Sequence, residues 1–90
     1  MEIKITLAEA VAKVTEYLET KKNPTEELLY HTIEIKYERH SGNEPKIEWI
    51  IYHEKIGNVK GNNFIIAFES FKTSFEHKED KEEIRIEQQF

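Results

Sequence analysis

Cysteine is absent from the 90-residue chain. That excludes disulfides, thiolate zinc sites, iron–sulfur clusters and cysteine nucleophiles. It also fits a reducing compartment. No apolar run approaches the roughly 20 residues that a membrane-spanning helix needs. The opening residues, Met1-Glu2-Ile3-Lys4-Ile5, lack the apolar core of a secretory signal, so a native start and a cytoplasmic protein are expected. Positive charge is scarce as well. Thirteen basic residues face 18 acidic ones, for a net charge of −5. Binding to a nucleic-acid backbone needs a positive footprint, so that class is disfavoured. An acidic surface serves solubility, or a basic protein partner.

The signatures of catalysis are missing too. Ser41, Ser70 and Ser74 lie in no Gly-x-Ser-x-Gly turn. His40, Ser41 and Glu44 have the residue types of a hydrolase triad, but neighbours on one turn rarely reach the triad geometry. Gly57 and Gly61 have no lysine placed as a phosphate-binding loop requires. The histidines, His31, His40, His53 and His77, show no i, i+2 or i, i+4 pair and no His-Glu-x-x-His. His31 and His53 fall on one side of the first hairpin, with no third ligand in view, and edge-of-core histidines bonded to backbone are the plainer reading. Glu38, Glu48 and Glu69 could gather on the polar sheet face, where solvated carboxylates flanked by Lys36 and Lys46 are expected rather than an acid–base pair. No cofactor, metal or catalytic residue is therefore assigned.

What the chain does carry is a change of period. Leu7, Ala10, Val11, Val14, Tyr17 and Leu18 fall in one arc at about 100° per residue, which predicts an amphipathic helix over residues 6–22. Thr6 and Glu9 form a capping-box pattern, and Asn23-Pro24 closes the helix. Residues 24–30 suit one or two further helical turns. From His31 the period becomes 2. Ile33, Ile35 and Tyr37 alternate with Thr32, Glu34, Lys36 and Glu38, which predicts a half-buried strand. Residues 40–45 read as a turn and 46–55 as a second strand. A five-residue loop over 41–45 pairs Ile33 with His53, Ile35 with Ile51 and Tyr37 with Trp49, and so keeps the odd residues on one face. Gly57 to Asn63 read as a loop. A third strand starts at Phe64, with Phe64, Ile66 and Phe68 inward. Phe68, Phe71 and Phe75 also fit a helical spacing, but the aromatic and β-branched content favours a long bent strand. Residues 76–83 read as a charged turn and Ile84-Arg85-Ile86-Glu87 as a last strand.

The expected fold is a single α+β domain over residues 1–90, an N-terminal amphipathic helix packed on a four-stranded antiparallel β-meander. In outline this resembles the cystatin-like folds, in which a sheet wraps a helix, and an outline of that kind carries no function with it. On the strand face away from the helix, Ile50 and Tyr52 would lie beside Ile65 and Ala67. Such a second apolar patch is a candidate interface, and its expected occupant is a second copy of the chain in a homodimer. The function this suggests is that of a non-enzymatic binding protein. By analogy it would be a stoichiometric inhibitor or adaptor, including the anti-defence inhibitors encoded by phages. The alternative is a small-molecule-binding or sequestering domain, with Tyr37, Trp49 and His53 as ligand-lining candidates between helix and sheet or at a subunit interface.

Overall fold

The computed structural model describes residues 5–38 and 46–88, with side chains through Lys81. The turn over 40–45, with His40, Ser41 and Glu44, lies outside the described residues, as do Met1 to Lys4. The chain runs α1 (Leu7–Glu19), α2 (Glu26–Leu29), β1 (Thr32–Glu38), β2 (Lys46–His53), β3 (Gly57–Gly61) and α3 (Phe64–Gln88). The class is α+β, as expected. Among the described residues the sheet, however, has three strands rather than four, in the order β1-β2-β3. A second long helix follows it.

Local chemistry explains each boundary. Thr6 caps α1, its hydroxyl accepting from the Glu9 amide at 3.1 Å. Thr25 caps α2 in the same way through the Leu28 amide. Asn23, in the left-handed region at φ 55°, turns the chain between these two helices. After β2, the Ile56 amide donates to the His53 carbonyl, and Gly57 follows at φ 77°. A three-residue loop closed by a left-handed glycine is a common hairpin connection. It turns the chain into β3, where a loop was expected.

Residues 64–88 form a single helix, not the expected strand, turn and strand. Asn63 caps α3, its side-chain oxygen accepting from the Ile66 amide at 2.9 Å. Phe64, Ala67, Phe71 and Phe75 then line one helical face and are buried. The supposed third strand is the first half of this helix. The charged turn and the last strand are its second half. Phe64-Ile65-Ile66-Ala67-Phe68 looks like a strand by composition, but strand preference reflects packing context and yields to a cap and a helical core stripe. The run Glu76 to Glu83 contains neither glycine nor proline, so nothing in it breaks the helix.

The first hairpin also differs in register. Ile33 pairs with Ile51, Ile35 with Trp49 and Tyr37 with Ile47. This is a shift of two residues from the expected pairing. A shift of two preserves the face of every side chain, so the odd residues still point to the helices. Both long helices lie on that face. Ala10, Val14 and Leu18 of α1 meet Trp49, Ile51, Phe64, Phe71 and Phe75 in a single core. Tyr17 joins the helices, its ring edge-on to Phe68, Phe71 and Phe75 at 6.1–6.2 Å. Lys21 reaches Glu79 at 2.9 Å and caps the Tyr17 ring at 4.6 Å. No helix of the described residues is long and apolar enough to cross a membrane.

Candidate functional site

The expected patch on the far side of the sheet does not form. Ile65 and Ala67 belong to α3, where Ile65 faces solvent and Ala67 is buried against the end of β3. Ile50 does sit on the sheet face away from the helices, yet it is only 6% exposed and lies outside the main core. Its lateral neighbours there are Glu34 and Lys60, and Lys60 approaches Glu48 at 3.8 Å. Long charged side chains cover apolar surface with their stems in this way. Tyr52 remains 38% exposed beside it. The four residues therefore do not share a surface.

The ligand-lining candidates are also dispersed. Trp49 is packed in the core, its ring 5.6 Å from that of Phe64. His53 is buried against Phe71 and Phe75. Tyr37 is in solvent.

His53 is spoken for at both nitrogens. The Lys55 amide donates to Nδ1 at 3.0 Å, which makes Nδ1 an acceptor, and Nε2 then donates to the Leu28 carbonyl at 2.7 Å. The ring ties α2 to the β2–β3 turn and offers no lone pair to a metal or substrate. His31 donates from Nδ1 to the Leu29 carbonyl, leaving Nε2 buried without a partner. Among the described residues no group of three metal-ligating side chains assembles. Glu69, Ser70, Thr73 and Ser74 line a shallow depression of about 320 Å³ along α3. Residues from one helix cannot enclose a ligand by themselves.

A different surface stands out instead. The core face of the hairpin continues past the helices. Trp49 is covered, but its partner Ile35 is 44% exposed, and the next pair, Tyr37 and Ile47, is 59% and 45% exposed. Leu7 and Val11, at the start of α1, are exposed as well. Taking Val14 as the centre of the α1 stripe, Tyr17 falls about 60° to one side and Val11 about 60° to the other. Tyr17 faces α3, so Val11 points away from α3. The contacts place α1 on β1 and α3 on β2 and β3. Val11 thus borders the outer edge of β1. That edge carries no strand among the described residues.

The alternation of β1 and β2 marked Ile35, Tyr37 and Ile47 as core residues. The missing information was how far along the hairpin the helices reach, which only the packing reveals. Compared with family models, curated proteins and solved structures, the chain gives no match.

Proposed function

We propose that the protein is a non-enzymatic binding module that associates with its partner through the apolar surface at the outer edge of the β1–β2 hairpin. One observation carries this reading. Ile35, Tyr37 and Ile47 extend the core face in an unbroken register but are left in solvent. Contiguous apolar side chains beside an unpaired strand edge are what a docking partner covers. On the opposite face of the same strand stand Glu34, Lys36 and Glu38. The use of both His53 nitrogens in structural bonds supports a scaffold role for this buried histidine, not a chemical one.

The test is site-specific cross-linking in cells. A photoreactive side chain at Ile47 should yield discrete adducts, and the same group at Asn58, at the far edge of the sheet, should yield none of them. Identical adducts at the two positions, or none at Ile47, would remove the basis for the reading.

A further inference from the structure

Resting on that reading, we propose that the occupant of the β1 edge is a second copy of the chain, joined by antiparallel pairing of β1 with β1 about a two-fold axis through Ile35. β1 reads Thr32-Ile33-Glu34-Ile35-Lys36-Tyr37-Glu38. In an antiparallel self-pairing centred on Ile35, every one of its seven residues finds a partner. Ile35 meets the partner's Ile35. Ile33 meets the partner's Tyr37, an aliphatic–aromatic pair. On the other face, Glu34 meets the partner's Lys36, and by symmetry Lys36 meets the partner's Glu34. Opposite charges and β-branched–aromatic pairs at directly facing positions are the favourable cross-strand combinations.

Neighbouring registers that keep the faces aligned lack this match. Centring on Glu34 sets that carboxylate against its own copy. Centring on Lys36 sets two ammonium groups together, and Glu34 against Glu38. Like charges directly opposite are destabilising. Charged residues on an edge strand usually discourage pairing. Here their order discourages the wrong registers and favours one. Neither Glu34 nor Lys36 is engaged in an ion pair among the described residues, so both are available to a partner.

The helices supply a second, independent argument. Ile33 is half-buried against the core that α1 builds, while Ile35 and Tyr37 are bare. Among the described residues, then, the helices cover only the Ile33 end of β1. Pairing about Ile35 lays the covered end of one copy beside the uncovered end of the other. Because the axis stands perpendicular to the sheet, both α1 helices lie on the same face, offset along the strands. Each α1 then borders the partner's Tyr37, with Leu7 and Val11 facing inward. Ile35 and Tyr37 of the strand and Leu7 and Val11 of the helix are covered by a single operation, and the result is a continuous six-stranded sheet. The other edge is unsuited to this. β3 is five residues long, begins and ends in glycine and carries Lys60.

The experiment is a charge-swap series read by light scattering after size exclusion, with circular dichroism to verify that each variant is folded. Wild type should run at twice the single-chain mass of 10.8 kDa. Glu34→Lys and Lys36→Glu each replace two attractive pairs with two repulsive ones. Each should weaken self-association on the order of tenfold to a hundredfold and shift the mass toward that of one chain. Mixed in equal amounts, the two variants should recover the double mass, because every facing pair is again of opposite charge. Recovery in the mixture is peculiar to a register that sets 34 against 36. A wild-type mass of one chain at high micromolar concentration overturns the self-pairing and leaves the cross-linking at Ile47 to decide the binding reading. A dimer that survives both single swaps, or a mixture that stays monomeric, overturns the β1 pairing.

Discussion

Gly61→Ala tests the junction that separates the observed fold from a four-stranded meander. A methyl group at this position would lie 2.5 Å from the Ala67 backbone nitrogen and 3.0 Å from its Cα. Ordinary contact begins at 3.4 Å, so α3 would have to lift by nearly an ångström from the end of β3. The atoms in the way are backbone, so no side chain can rotate aside. Ala67 has no exposure at all, and lifting the helix would also loosen Phe64 and Phe71 beside it. Overpacking of this kind costs about 2–3 kcal/mol. Against a total stability of roughly 5–13 kcal/mol for a chain of this length, the melting temperature should fall by about 8–20 °C. Gly57→Asn is the control. Nothing lies within 4 Å of its side-chain position, and asparagine tolerates φ 77°, so the loss should stay below about 1 kcal/mol. Thermal melts followed by circular dichroism suffice. A Gly61→Ala melt within two or three degrees of wild type would mean that α3 does not start against β3 as described.

Three further outcomes follow from the same packing. Val14→Asp places an unpaired carboxylate in the buried α1 stripe and should cost about 3–5 kcal/mol; a melting temperature unchanged within a few degrees would show the helix face to be misassigned. Micromolar zinc should leave the melting temperature where it is, since both His53 nitrogens are bonded, whereas a bound metal at 100 times its dissociation constant would add about 2.7 kcal/mol. A large rise with zinc that disappears in His31→Ala/His53→Ala would contradict this. Stability should also fall in alkali. Burial raises the Tyr17 pKa above 10.0, against a lowering by Lys21. Burial lowers that of Lys21, but bonds to Glu79 and Tyr17 outweigh it and carry the value above 10.5. Both groups hold their protons more tightly when folded, so their contribution is complete below the unfolded values and is lost as pH rises through the folded ones. Urea midpoints between about pH 9 and pH 12 should therefore fall less steeply for Tyr17→Phe than for wild type, and parallel curves would refute the assignment.

Much of the first half of the fold was legible because local signals there agree with tertiary packing. Thr6 and Glu9 mark the start of α1, and of the expected α1 stripe Ala10, Val14 and Leu18 are buried, while Leu7 and Val11 are exposed. The alternation of β1 and β2 identified the face each side chain takes, while the register slipped by two residues because face alone cannot distinguish shifts of two. The second half was harder. Phe64 to Phe68 is apolar at nearly every position, so its period cannot separate a strand from a helix. Asn63 as a cap was the available signal. Once residues 64–88 form a helix, Ile65 and Ala67 leave the sheet, and the patch expected around Ile50 and Tyr52 has no second half. The candidate surface at Ile35, Tyr37 and Ile47 was visible only as strand periodicity. Its exposure depends on where α1 and α3 end over the hairpin, a long-range property of the packing.

The claim that the outer edge of β1 is the working surface is tested most directly by amide NMR on a dilution series. Concentration-dependent shifts are expected from Thr32 to Glu38 and at Leu7 and Val11, with Gly57 to Gly61 and the Ile50–Tyr52 face unmoved. Shifts concentrated on β3 or on Tyr52 and Ile65, with β1 unchanged, would contradict it.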